Sequence, residues 1–334
     1  MGKGICVAGN MSVDILYSVR GHPRPGELTT IYDVKQSTGG ALCNVIGDLA
    51  IMDTTLPLTA LGRVGADSEG DFVLEILRSH KNIDLSMIKR EGKTSFTAVM
   101  ADEISKERTF FHYRGANAAF CEDDIEWERI PSAMLHIGYI LLLDALDEED
   151  VEYGTKMARL LCHARERGIK TSIDVVSEAG DRFKRLVPPA LKYADYCVIN
   201  EIEADQVTGV KLRDEKGGLI NVSIPKALEV IKGLGVSEWA VIHCPEGGYG
   251  MDQKGAYVES PTIDLPAYVI KGKVGAGDAF CAGILYAASQ NGSIKEGLEL
   301  GNAAAAASLM KPGAVEGMIR VEDLKTLRAQ FTGT

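Results

Sequence analysis

No run of apolar residues in the 334-residue sequence is long enough to cross a membrane. The longest candidate, Ile137 to Leu146, is short and is broken by Asp144. No N-terminal signal pattern is present either, so a cytoplasmic chain is expected. Basic residues are in deficit, with a formal net charge of -11. Nucleic acid and acidic membrane surfaces are therefore excluded as expected partners. A small anionic substrate stays open, because a local site can override the net charge. The cysteines, Cys6, Cys43, Cys121, Cys162, Cys197, Cys244 and Cys281, form no Cys-x-x-Cys pair. They read as reduced thiols rather than a disulfide framework or a zinc site. The histidines show no metal-ligand spacing.

Several nucleotide and hydrolase motifs are missing as well. Gly92-Lys93-Thr94 supplies the end of a Walker loop, but Met87 stands where its first glycine is needed. Gly9 is followed by Asn10 and Met11, so the dinucleotide fingerprint is absent after the first strand. No Gly-x-Ser-x-Gly elbow occurs.

What is present centres on Lys271 to Phe280. Gly275 and Gly277 free a turn of side chains, and apolar residues then follow at helical spacing: Phe280, Ile284, Leu285 and Ala288. A helix N-terminus behind a glycine turn offers unpaired N–H groups to an anion. Asp278 adds a carboxylate in the first turn. Beside an anion hole it can take a proton from a hydroxyl while a phosphoryl group moves. Read alone, it is equally an N-terminal helix carboxylate.

The chain opens on Ile5 to Gly9, a buried-strand signal. Asn10, Ser12 and Asp14 follow at alternate positions, which puts all three on one side of an extended chain. That edge suits a polyhydroxyl ligand, or is a polar surface. Leu28 to Lys35, Thr94 to Met100 and Arg108 to Tyr113 read as β structure without intervening helices. They predict a small sheet projecting from the main domain as a lid, formed by insertions at about 15–37 and 94–118. Gly39 and Gly40 start a second helix that carries Asn44. Leu135 to Leu142, Lys170 to Val176, Tyr196 to Ile199 and Trp239 to His243 read as strands. Helices are expected near Glu152 to Arg167, Arg182 to Lys192 and Lys226 to Lys232. This alternation predicts an α/β fold with a mostly parallel sheet, binding ligands beyond the strand ends.

Gly39-Gly40 with Asn44, Gly62-x-x-Gly65-x-Asp67-x-x-Gly70, Asn200-x-x-Glu203 and Gly275-Ala276-Gly277-Asp278 occur in that order. Together they resemble the ribokinase-like carbohydrate kinases, the PfkB family, from about Ile5 to about Gly313. The resemblance implies a ribokinase-like three-layer sandwich with a β-sheet lid, a single domain over 1–334, and phosphorylation of a sugar by ATP and magnesium. Asp278 would be the base, and Gly275, Ala276 and Gly277 the anion hole. Ser12, Asp14, Gly39, Gly40 and Asn44 would hold the sugar. Asn200, His243, Gly248, Lys273 and Asn302 would lie on the nucleotide side. Glu203 would organise magnesium-bound water.

Two departures stand out. The family usually has Asp-Thr where this chain has Gly272-Lys273. The ammonium of Lys273 or Lys271 is expected to replace a bound potassium ion, making activity independent of potassium, unless Lys273 points to solvent. Pro245 replaces a frequent glycine in the nucleotide-side loop. Tyr113-Arg114 is similar to a segment of relatives acting on 2-keto-3-deoxygluconate and of some fructokinases. Arg114 can pair with a carboxylate or phosphate of the substrate, or with a lid acid such as Glu107. A ketohexose or sugar acid is favoured. A nucleoside or other small alcohol, a non-catalytic sugar or nucleotide sensor, and an oxidoreductase are the alternatives. Exposed lid edges also point to a homodimer joined through the lids.

Overall fold

The computed structural model describes residues 4–105, 107–130, 133–178 and 180–332. The first half of the chain contains β1 (Ile5–Gly9), β2 (Ser12–Val19), β3 (Asp33–Gly39), α1 (Ala41–Met52), β4 (Leu58–Val64), α2 (Ser68–Arg78), β5 (Ile83–Arg90), β6 (Ser95–Asp102), β7 (Arg108–Tyr113) and β8 (Met134–Ile140). A short helix α3 (Asp144–Asp147) and a two-residue pair, β9 (Glu149–Asp150) and β10 (Gly154–Thr155), lead to α4 (Lys156–Glu166), β11 (Lys170–Val175), α5 (Phe183–Leu191) and β12 (Tyr196–Asn200). Then come α6 (Glu201–Thr208), α7 (Ile224–Gly233), β13 (Trp239–Cys244), β14 (Gly247–Met251), β15 (Tyr257–Pro261), α8 (Ala276–Ser289), α9 (Ile294–Leu309) and α10 (Val321–Thr332).

Among the described residues, a nine-stranded sheet runs in the order β15-β14-β13-β12-β11-β8-β1-β4-β5. Strands β5 to β13 of this series pair in parallel, and β14 and β15 add an antiparallel edge. Helices cover both faces, which is why β1 is buried at every position. Its side chains alternate between two cores. Ile5 and Val7 pack with α1, α8, α9 and α10, whereas Cys6 and Ala8 pack with α4, α5 and α7. The order of the strands reverses between β1 and β8, and ligands bind at such a point. Strands β3-β2-β6-β7 form a separate four-stranded sheet beside that rim.

Two boundaries differ from the sequence reading. The strand expected over Leu28 to Lys35 is Asp33–Gly39, because pairing with β2 begins only at Asp33 opposite Ser18. The helix expected from Glu152 starts at Lys156. The Thr155 hydroxyl accepts from Ala158 N at 3.1 Å and caps it there. The glycine-spaced Gly62 to Gly70 stretch is architectural. The Asp67 carboxylate accepts from the N–H groups of Gly70 and Thr94 and from the Thr94 hydroxyl, so it caps α2 and fixes the entry to β6. Among the described residues no helix is long and apolar enough to cross a membrane.

Asp48 on α1 is fully buried, and neither carboxylate oxygen has a hydrogen-bond partner. Burial, and then the nearby Asp278 charge, push its pKa well above the ordinary range. A group raised in the folded state is neutral in both states at low pH. Its stability contribution is lost as pH rises above the unfolded value. Asp48→Asn is therefore expected to raise the melting temperature more at pH 8 than at pH 4, by about 1–3 kcal/mol of stability at neutral pH. A gain that shrinks as pH rises would contradict the assignment.

Candidate active site

Helix α8 begins behind Gly275, whose φ of 80° lies in the left-handed region. A Cβ at 275 would also stand 2.6 Å from the Ala314 carbonyl oxygen. Only glycine meets both demands. The turn directs Gly275, Ala276 and Gly277 to an open cavity of about 270 Å³ at the strand ends. The free N–H groups of this 14-residue helix and the positive end of its dipole make an anion site there.

Asp278 is buried in the same wall. Its Oδ1 accepts from the Tyr139 hydroxyl at 2.5 Å, and its Oδ2 accepts from Asn44 Nδ2 at 2.8 Å. Burial pushes its pKa up to about 6, the two hydrogen bonds oppose that rise, and Asp14 adds to it. A carboxylate poised near neutrality suits general base work.

Ser12 and Asp14 share one face of β2. Asp14 Oδ1 accepts from Ser12 Oγ at 3.5 Å, and burial raises its pKa against hydrogen bonds from Thr97 and Ser12. Gly39 makes room for it, because a Cβ there would lie 2.4 Å from Asp14 Oδ2. Gly40, at φ +90°, lets the chain turn into α1 against Asn10. Asn44 gives its amide to Asp278, while its own buried Oδ1 has no partner. That atom is an acceptor suited to a hydroxyl. Asn10 does not join this group: its Oδ1 accepts from the N–H groups of Ala41 and Tyr139 at 3.3 and 3.1 Å, bracing three elements together.

On the opposite side, Asn200 and Glu203 form a capping box at the start of α6. Asn200 N donates to Glu203 Oε2 at 2.9 Å, and the Ser177 hydroxyl donates to Glu203 Oε1 at 2.8 Å. Burial pushes the Glu203 pKa up to about 7. Asp174, at the end of β11, is raised strongly by burial, then by Glu203 and Asp278. Asp174, Glu203 and Asp278 thus crowd one cavity wall, each with a raised pKa. His243 stacks on Phe280 with ring centroids 5.0 Å apart, and burial pulls its pKa down to about 4. It is neutral.

Lys273 is exposed and lines the cavity, whereas Lys271 Nζ donates to Tyr268 O at 2.8 Å. A Cβ at Gly272 would stand 2.8 Å from the Lys311 carbonyl oxygen, so an aspartate does not fit at that position. The Arg114 guanidinium donates to the Leu141 carbonyl at 2.7 Å and lies 3.8 Å from Asp144 and from Glu178. Glu107 is not among its partners. Gly248 and Asn302 do not line the cavity. The Asn302 amide donates to Ser260 O and Pro261 O, joining α9 to β15, and the Phe280 ring occupies the space a Gly248 side chain would need. The sequence reading missed Tyr139 and Asp174. Tyr139 is hidden in an apolar run. Asp174 had a signal, an acid closing an apolar strand.

Residues 3–320 match the model of pfkB family carbohydrate kinases. The chain belongs to this family. It is a sugar kinase, a phosphotransferase. It is 27% identical over 309 residues to an ATP-dependent ribose-1-phosphate kinase from Halopiger xanaduensis, covering 92% of each chain. It is 25% identical over 323 residues to a ribokinase from Haemophilus influenzae, covering 94% of each. The fold matches an Arabidopsis thaliana ribokinase complexed with ribose and ATP at a TM-score of 0.80, with 20% identity over 98% of this chain and 99% of that one. A Thermotoga maritima ribokinase matches at 0.78, with 20% identity over 97% and 98%.

A protonated Asp278 cannot accept a proton, so activity is lost as pH falls through its pKa. With Asp278 as the base, kcat/KM is expected to drop about tenfold per pH unit below its pKa of about 6. A profile flat to about pH 5 would contradict that role.

Proposed function

We propose that this sugar kinase transfers the terminal phosphoryl group of ATP to a hydroxyl of a small sugar or sugar acid. The observation that carries the reading is the hydrogen bond between Asn44 and Asp278 beside the N-terminus of α8. It joins the Asn44 amide to a carboxylate in the first turn of α8, which supports reading the two as an acceptor-side donor and a base beside an anion site. Asp278 takes the hydroxyl proton while the N–H groups of Gly275, Ala276 and Gly277 hold the moving phosphate. Ser12, Asp14, Gly39, Gly40 and Asn44 orient the acceptor.

The acids fit magnesium: Asp174 and Glu203 share a cavity wall and repel each other, which a dication would reverse. Glu203 and Asn200 would hold it through bound water. Magnesium would neutralise phosphate charge during transfer. Lys273 takes the place of a monovalent cation, in a loop whose Gly272 packs on Lys311 and Pro312. Equal rates in potassium and sodium accompany that arrangement.

The four-stranded sheet is the lid of a single domain, and excludes water that would compete for the phosphate. Its edge strand β7 is exposed along its whole length, with Phe110 and Phe111 both open. A second copy covering that edge gives a homodimer. The seven unpaired cysteines accord with a reducing cytoplasm.

Arg114, a guanidinium that donates to the Leu141 carbonyl and lies 3.8 Å from both Asp144 and Glu178, supports an acceptor with an anionic substituent if the acceptor displaces those pairs. A 2-keto-3-deoxygluconate-type acid, or the sugar phosphate named for the Halopiger relative, presents one. A ketohexose or ribose is the neutral case. An ATP-consumption assay over ribose, ribose-1-phosphate, fructose, 2-keto-3-deoxygluconate and adenosine tests the reading. Turnover is expected with a sugar. For an anionic acceptor, Arg114→Ala is expected to raise KM about 10- to 100-fold. An unchanged KM would remove Arg114 from the site, and ATP binding without consumption on any acceptor would favour a sensor.

A further inference from the structure

Both oxygens of Asp278 are engaged, from opposite sides. Asn44, on α1 beside Gly40, reaches Oδ2 from the acceptor side. Tyr139, at the end of β8, reaches Oδ1 from the wall it shares with Asp174 and Glu203. We propose that Tyr139 is a positioning residue that fixes which oxygen of Asp278 takes the proton and sets how basic the carboxylate is. This rests on the reading of Asp278 as the base.

The neighbours show why such a group is needed. Asp14 on β2 raises the Asp278 pKa, as does burial. Asp48 on α1, Asp174 on β11 and Glu203 on α6 are further acids whose own pKa values rise in this crowd. His243 on β13 is neutral, and the thiols of Cys43 and Cys281 stay protonated. Lys273, the one cation lining the cavity among the described residues, has no hydrogen bond or ion pair to Asp278. The groups that favour the ionised form are two hydrogen-bond donors, Asn44 and Tyr139. Asn44 also faces the acceptor through its unpartnered Oδ1. Tyr139 is thus the donor left to act on the base independently of the acceptor. Its phenol carries no charge, because burial and then Asp278 raise its own pKa strongly. A neutral donor can lower basicity in a ring of acids where another carboxylate could not. With Oδ1 held, the acceptor hydroxyl meets Oδ2 beside Asn44. As the acceptor oxygen bonds to the terminal phosphorus of ATP, the phosphorus–oxygen bond to ADP breaks and ADP leaves, the acceptor O–H bond breaks, and the proton moves to Oδ2.

The test is the pH dependence of kcat/KM for wild type, Tyr139→Phe and a variant carrying 3-fluorotyrosine at 139, whose phenol is a stronger donor. Tyr139→Phe is expected to move the acidic limb up by about one to two pH units, from the loss of one hydrogen bond to a charged group. The fluorinated residue is expected to move it down, and KM for ATP is expected to hold in both. The fluorinated variant alone decides the matter if Tyr139→Phe fails to fold. A uniform fall in rate with the limb unmoved would overturn the role of Tyr139. A wild-type profile with no acidic limb would instead remove the base reading beneath it.

Discussion

One carboxylate held between two donors organises this molecule. Asp278 sits in the first turn of α8, so its location depends on where that helix starts and what it lies against. Gly275 sets the start by turning tightly against Ala314. Small residues set the packing: a Cβ on Gly283 would stand 2.7 Å from Gly301 Cα, so α8 and α9 approach almost backbone to backbone. On the other flank α8 packs against α1, which delivers Asn44. A shift of α8 would break both hydrogen bonds to the carboxylate and move the anion site with it. Gly275, which looked catalytic in the sequence, is therefore also one of the glycines that place the helix.

Charge is the second constraint. Asp174, Glu203 and Asp278 line the open cavity, the charge of Asp14 reaches Asp278 from β2, and burial raises the pKa of each of the four. Such a cluster is unfavourable for an isolated fold. In the proposed reading a dication arriving with the nucleotide would offset that repulsion. Helix termini supply the compensating positive potential without mobile side chains. The side of the small sheet is built differently, with Arg114 anchored on the Leu141 carbonyl rather than on an acid of that sheet.

Much of this was legible in the sequence. A continuous apolar β1 announced a sheet covered on both faces, and Arg108 to Tyr113 was read as the strand it is. The glycine turn before Asp278 carried its own physical argument. What was not legible depends on tertiary partners. Tyr139 sits in an apolar run, and nothing local says that its hydroxyl meets a residue 139 positions away. Asn200-x-x-Glu203 reads as ligand chemistry, yet in the fold both side chains also cap α6. Asn302 and Gly248 matched a nucleotide-side pattern, but their visible work is to join α9 to β15 and to admit Phe280. Polar and glycine positions serve folding and function with the same residue types, and only the contacts separate the two.

The central claim is that the Asp278 carboxylate removes the proton from the acceptor hydroxyl. Single-turnover phosphoryl transfer by Asp278→Asn, measured together with ATP affinity, addresses it directly. The account predicts a rate lower by about 100- to 10,000-fold with ATP affinity retained. Transfer at the wild-type rate would contradict it.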